Sequence, residues 1–141
     1  MIYRVFFSPL FLPMFLFGCV TNNARPNKEI IIIDNSTLKK FEVTLISNDL
    51  KTICIYGDGW ISDSGQIYND GTNGVIYSTK GKFPAKSHNY GYCKGDCYIK
   101  IPAKGRLSGS IPYSEFGDES QIAALPDKEL QFAVYVNYCE K

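Results

Sequence analysis

Short apolar runs separated by glycine, asparagine and aspartate constrain this chain most, because they fit β-strands and nowhere sustain a helical period. Residues 41–45 alternate apolar and polar side chains, as do residues 130–136, which is typical of strands with one buried face. The consecutive isoleucines within residues 29–34 predict a buried strand. About seven or eight such strands with frequent turns predict an all-β fold, a small antiparallel β-sandwich of the immunoglobulin-like kind.

The residues between the strands predict how the strands connect. Residues 66–68 and 75–78 are predicted to form a hairpin, because Asp-Gly and Asn-Gly pairs lie between them. Residues 98–101 and 106–111 are predicted to pair across the short turn that separates them. Residues 114–125 fit either a loop or a short helix that ends before a proline.

The amino-terminal segment differs in character from the rest of the chain. Arg4 precedes an apolar run at residues 5–17, which contains two prolines and is too short to span a bilayer as a helix. The run stops at Leu16-Phe17-Gly18-Cys19, where a branched apolar and a small residue precede a cysteine. This pattern resembles the signal peptide and lipobox of bacterial lipoproteins. The alternatives are an ordinary secretory signal and an uncleaved helix.

The resemblance to bacterial lipoproteins implies an organisation for the whole chain. Residues 1–18 would be the signal peptide, residues 19–28 a polar tether lipidated at Cys19, and residues 29–141 one folded domain. The membrane is then a partner through the lipid, since two or three acyl chains anchor a protein stably. The residue after Cys19 is valine rather than aspartate, which by the same resemblance implies the outer membrane, with the domain facing the periplasm.

The four cysteines other than Cys19 predict two disulfides, because an even number in a small exported domain is typical of a disulfide framework. Three pairings are open. We favour Cys54–Cys139 and Cys93–Cys97, since a glycine lets the short Cys-Lys-Gly-Asp-Cys segment turn back on itself. A zinc site is the poorer alternative, because the single histidine is not paired at ligand spacing. No metal or cofactor is expected.

The balance of charge argues against one class of partner. The chain has 15 basic and 14 acidic residues, and loss of Arg4 with the signal peptide would make the two counts equal. A chain without net charge is not built as a whole to bind nucleic acid.

A basic segment at residues 80–106 is the strongest candidate for recognition, because lysines and aromatic side chains alternate there around a single acidic residue. The binding residues predicted from it are Lys86, Tyr90, Tyr92, Lys94 and Tyr98. The competing interpretation is that the lysines keep an edge strand soluble while the tyrosines pack over the ends of the sandwich.

No catalytic residues are predicted. The Gly-x-Ser-x-Gly pattern is absent, His88 lies in a polar segment that predicts a surface position, and Glu115, Asp118 and Glu119 are expected to be solvated. The expected function is therefore that of a non-enzymatic envelope lipoprotein that acts as a binding module. An inhibitor or immunity protein against a wall- or membrane-degrading enzyme is the sharper hypothesis, with a protein partner. The alternative is a structural or accessory subunit of an envelope complex.

Overall fold

The computed structural model of this protein describes residues 25–68, 73–88 and 97–139. Within them the strands are β1 (Lys28–Asn35), β2 (Lys40–Ser47), β3 (Ile53–Tyr56), β4 (Val75–Ser78), β5 (Gly81–Pro84), β6 (Tyr98–Ile101), β7 (Arg106–Pro112), β8 (Glu129–Gln131) and β9 (Asn137–Tyr138). Two 3₁₀ turns lie at Gly57–Gly59 and Tyr113–Glu115, and one short helix, α1, spans Glu119–Ala123. No helix in this described part of the chain is long and apolar enough to cross a membrane.

The strands form three small antiparallel sheets. The strand order is β1-β2-β7 in the first sheet, β6-β3-β9 in the second and β5-β4-β8 in the third. The prediction of an antiparallel all-β fold is confirmed. An immunoglobulin-like sandwich has two sheets, so this finer prediction is not confirmed by the described strands.

One apolar core joins the three sheets. It includes Leu45 from the first sheet, Ile55 from the second and Ile76 from the third, all of which are fully buried. The predicted alternation of β2 is confirmed, because Phe41, Val43 and Leu45 point inward while the residues between them are half-buried. Each such side chain removed from water contributes about 1.5–3 kcal/mol, so β2 is the strand that holds the first sheet on the core.

Residues 29–34 form a strand as predicted, but the prediction that this strand is buried is wrong. These residues lie in β1, which is an outer strand of the first sheet. Ile30 and Ile32 face the core opposite Leu45 and Val43, whereas Ile31 and Ile33 are 38% and 56% exposed on the other face. The run of isoleucines hides the alternation, because inward and outward positions carry the same residue.

Two predicted strand pairings are wrong. β6 and β7 do not pair with each other, since β6 pairs with β3 and β7 pairs with β2, and the turn between them carries the chain from one sheet to another. Residues 66–68 form no strand, and β4 instead pairs with β5 across a two-residue turn. For β6 and β7, pairing with strands distant in sequence wins over the local hairpin, whereas β4 forms a hairpin with the strand that follows it rather than with residues 66–68.

The carboxy-terminal alternation at residues 130–136 is one amphipathic segment but not one strand. β8 belongs to the third sheet and β9 to the second, and the residues between them lie outside both ladders. Phe132 and Val134 are nonetheless buried, while Ala133 and Tyr135 face solvent. The segment therefore bridges two sheets with its apolar side against the core.

The predicted Cys54–Cys139 disulfide is confirmed, and it ties β3 to the residue that follows β9 across 85 positions of sequence. It is the one disulfide with both cysteines described, rather than the two predicted. Cys97 is itself disulfide-bonded, but Cys93 lies outside the described residues, so the Cys93–Cys97 pairing stays a prediction. The short-helix interpretation of residues 114–125 is confirmed by α1, whose first turn is capped by Asp118.

Candidate ligand-binding cleft

An open cleft of about 540 Å³ lies beside the end of β3 and the segment that joins β8 to β9. We name it the aromatic cleft, because five of its described lining residues are Tyr56, Trp60, Tyr68, Phe132 and Tyr135. Its volume is in the range of small-molecule sites, about 300–1,000 Å³. The rest of the described lining includes the side chains of Asp58, Asn73 and Gln131.

The buried and exposed aromatic residues of the cleft have different roles. Trp60 and Phe132 are buried, with ring centroids 6.1 Å apart, and they join the cleft to the core. Tyr56, Tyr68 and Tyr135 are 46%, 47% and 86% exposed. Large rings left in water beside a cleft are the usual material of recognition sites, because they offer contact area with few rotatable bonds.

The local sequence explains how Tyr56 and Trp60 come to line the same cleft. β3 ends at Tyr56, and Gly57-Asp58-Gly59 makes a single 3₁₀ turn that changes the direction of the chain. The turn is tied down by the backbone N–H of Gly57, which donates to the carbonyl of Cys97 at 2.6 Å. Trp60 then enters the core directly after the turn, and Asp58 remains half-buried at the cleft.

Asn73 holds the other wall of the cleft in place. Its Oδ1 accepts the backbone N–H of Ala133 at 2.7 Å, and its Nδ2 donates to the carbonyl oxygen of the same residue at 3.0 Å. These two bonds replace the ladder partner that residue 133 lacks between β8 and β9. The amide of Asn73 therefore positions Phe132 and Tyr135 rather than facing a ligand with free polar atoms.

The structure places two of the five predicted binding residues, in different parts of the fold. Tyr98 on β6 packs edge to face against Tyr56, with ring centroids 5.5 Å apart, so it borders the aromatic cleft. Lys86 follows β5, and its backbone N–H donates to the carbonyl of Glu115 at 2.9 Å. Tyr90, Tyr92 and Lys94 lie outside the described residues, as does the lipidation residue Cys19.

The expectation of a solvated Glu115 is wrong, and His88 is only partly exposed. Nε2 of His88 lies 2.6 Å from Oε1 of Glu115, and the Glu115 side chain is buried. Glu115 ends the 3₁₀ turn Tyr113–Glu115, which directs it inward. Asp118 is exposed as expected, and Glu119 forms an ion pair with Lys39 at 2.8 Å.

A second polar cluster lies at the junction of the first and third sheets. The carboxylate of Asp34 accepts a hydrogen bond from the hydroxyl of Tyr113 and forms an ion pair with Nζ of Lys128 at 3.2 Å. Nζ of Lys128 also lies 5.2 Å from the centroid of the Tyr113 ring. Burial raises the pKa of Tyr113 above its ordinary value, and the hydrogen bond to Asp34 adds to the shift. The polar groups of Asp34, Tyr113 and Lys128 are bonded to one another, so the cluster connects parts of the chain rather than presenting a reactive group.

The described lining of the cleft carries little charge. Asp58 is the one residue with a charged side chain among the described residues that line it. Neither His88 nor Glu115 is among those lining residues. No group of three potential metal-ligating side chains occurs in the described ranges.

Comparison of the chain with models of protein families, with curated proteins and with solved structures finds no match.

Sequence reasoning missed the cleft, although one signal for it was present. Tyr135 occupies a solvent-facing position of an otherwise amphipathic alternation, where a polar residue is usual. The tyrosine-rich composition of residues 80–106 drew attention to Tyr98 but not to its neighbour Tyr56. The two residues are far apart in sequence, and only the pairing of β3 with β6 brings them together.

Proposed function

We propose that this chain is a non-enzymatic binding protein of the bacterial cell envelope, anchored by lipid on Cys19. The observation that supports a binding role best is the aromatic cleft, with its exposed tyrosines and little charge. The anchoring and the location at the outer membrane, facing the periplasm, rest on the resemblance of residues 1–19 to a lipoprotein signal.

The partner we propose first is a protein. An inhibitor or immunity protein would use the tyrosines at Tyr56, Tyr98 and Tyr135 to hold an enzyme that degrades wall or membrane. Tyrosine is enriched among the residues that carry binding energy at such interfaces. The second candidate is an accessory subunit of a resident envelope complex. The edge position of β1, with Ile31 and Ile33 exposed on its outer face, supports that role, since long apolar edge strands pair readily with other chains.

We also propose that the fold is a variant of the immunoglobulin-like sandwich. The support for this is that the three sheets share one apolar core and that a disulfide links β3 to the carboxy-terminal strand region.

The experiment that tests the binding function is a pull-down from solubilised envelope with the full chain, followed by mass spectrometry. We compare the wild type with a Tyr56→Ala/Tyr135→Ala variant. Tyr77→Ala is the matched control, because Tyr77 is an exposed tyrosine outside the described lining of the cleft. A hydrolase retained in stoichiometric amount by the wild type and the control supports the inhibitor role. Retention of a resident assembly supports the subunit role.

A separate experiment tests the anchor. Cys19→Ser should move the protein from the membrane fraction to the soluble fraction and abolish incorporation of a labelled fatty acid. Cys97→Ser is the control, because Cys97 is already engaged in a disulfide. Membrane retention of Cys19→Ser would contradict lipidation at this residue.

A further inference from the structure

We infer that the aromatic cleft binds a neutral saccharide, a short run of sugar rings held against its tyrosines. This inference rests on the proposed binding function and names the ligand class of the same site. It does not depend on either of the protein partners considered above.

The exposed rings supply the first part of the argument. The face of an aromatic ring carries partial negative charge, and its edge carries partial positive charge. One face of a sugar ring is a layer of C–H bonds that are polarised positively by the neighbouring oxygens. Tyr56, Tyr68 and Tyr135 leave roughly half or more of their surface in water, so each can stack on such a face.

Polar side chains supply the second part. The carboxylate of Asp58 and the amide of Gln131 both face the cleft. In the described part of the chain neither side chain makes a hydrogen bond or an ion pair. A carboxylate accepts hydrogen bonds, and an amide both donates and accepts them. Together they match the paired donors and acceptors of adjacent sugar hydroxyl groups.

The charge of the cleft argues against an anionic ligand. Its described lining contains no lysine, arginine or histidine, and it contains one carboxylate. Phosphate, sulfate or an acidic sugar would meet repulsion from Asp58, and no cation among the described lining residues would compensate for it. The lysines of the basic segment at residues 80–106 do not contribute to the described lining.

At Ala133 the backbone beside the cleft offers no free main-chain groups to an extended peptide. Peptides that add to a sheet bind mainly through free main-chain N–H and C=O groups. Both of these groups of Ala133 are already bonded to Asn73. A single carboxylate among neutral side chains is also a weak attraction for a basic peptide. A stack of uncharged rings with hydroxyl groups fits the lining better.

The test is titration of the full chain, in a detergent without a sugar headgroup, with soluble oligomers of N-acetylglucosamine, glucose in β-1,4 linkage and glucose in α-1,4 linkage. Trp60 is the only tryptophan and lines the cleft, so its fluorescence reports occupancy. We expect at least one oligomer to bind at concentrations up to about 10 mM. Tyr56→Ala and Tyr135→Ala should each weaken that binding about tenfold or more, while Tyr77→Ala leaves it unchanged.

Three results would overturn the inference. The first is no response to any of the three oligomers from a chain that unfolds cooperatively. The second is binding that survives both cleft variants, which places the sugar elsewhere. The third is tighter binding of a lysine-rich peptide or of inorganic phosphate at the same tyrosines. If no sugar binds but a protein partner is retained by the wild type and lost with Tyr56→Ala/Tyr135→Ala, the binding function stands and the saccharide inference fails. If neither a sugar nor a protein binds, both proposals fail.

Discussion

Asn73 and Ala133, sixty positions apart in sequence, are joined by two hydrogen bonds between the side-chain amide of Asn73 and the backbone N–H and C=O of Ala133. The contact holds the segment between β8 and β9 although that segment has no ladder partner. Because Phe132 and Tyr135 flank Ala133, the geometry of one wall of the aromatic cleft depends on this single amide.

Asn73→Ala should therefore affect stability and binding together. We expect the free energy of unfolding to fall by about 1–2 kcal/mol, since two hydrogen bonds are lost and the backbone N–H and C=O of Ala133 are left without them. Urea titration followed by Trp60 fluorescence measures the change, and ligand affinity should fall as Tyr135 loses its position. Asn48→Ala is the control, because Asn48 is an exposed asparagine outside the cleft lining. Equal effects of the two substitutions would contradict a positioning role for Asn73.

Removal of the Cys54–Cys139 disulfide should lower the free energy of unfolding more than any other pair of substitutions proposed. The bridge closes a loop over 85 positions, which in the chain-entropy model corresponds to about 4–5 kcal/mol. The measurement is urea unfolding of Cys54→Ala/Cys139→Ala against the wild type under oxidising conditions. Substitution is preferable to a reducing agent, because Cys97 is also disulfide-bonded and would be reduced as well. A loss below about 1 kcal/mol would show that the bridge adds little to the β3–β9 pairing.

Acid should destabilise the fold through two aspartates. The hydrogen bond from Tyr138 Oη at 2.6 Å lowers the pKa of Asp49 below its ordinary value of 3.8, and the hydroxyl of Ser78 does the same for Asp127. A carboxyl group with a lowered pKa stabilises the folded state above its ordinary pKa, and this contribution is lost as the pH falls through the folded value. We expect unfolding free energy to fall below about pH 4. Asp49→Asn should flatten that decrease, whereas Asp63→Asn, at an exposed turn position, should leave it unchanged.

The hydrogen bond between Tyr138 and Asp49 should also make stability depend on pH in the alkaline range. It raises the pKa of Tyr138 above its ordinary value of 10.0. A group with a raised pKa contributes stability that is complete below its ordinary pKa and is lost as the pH rises through the folded value. Tyr138→Phe should therefore reduce the pH dependence of stability above about pH 10, measured by urea unfolding at a series of pH values. An unchanged alkaline limb would contradict this assignment.

The loss of His88 alone should lower the free energy of unfolding more than the loss of His88 together with the charge of Glu115. His88→Ala leaves a buried carboxylate without this partner, and we expect a loss of about 1–3 kcal/mol in the free energy of unfolding. Adding Glu115→Gln should recover part of the loss, because a neutral amide is cheaper to bury than an unpaired charge. Chemical unfolding of the two single variants and the double variant gives the coupling. Ser87→Ala, at the neighbouring exposed position, should have no measurable effect.

Local features of the sequence predicted those parts of the fold that neighbouring residues decide. The alternation of Phe41, Val43 and Leu45 predicted the buried face of β2, whereas local features left residues 114–125 open between a loop and the short helix that the structure has. The pairing of Cys54 with Cys139 followed from the even number of cysteines and the short spacing of the other two. The burial of Ile31 and Ile33 was predicted wrongly, because a uniform apolar run does not reveal which face meets the core.

What the sequence by itself determined is the β-strand content and the positions of several strands, since each depends on side-chain periodicity. Its cysteines favoured the Cys54–Cys139 disulfide among three open pairings, and the structure decided it. Tertiary structure alone decided that β6 pairs with β3 rather than with β7, that Glu115 is buried, and that Tyr56 meets Tyr98 and the β8–β9 segment. The physical reason is that strand pairing is selected by the apolar area buried jointly by distant strands. That buried area depends on the assembled core, so no local sequence pattern predicts it.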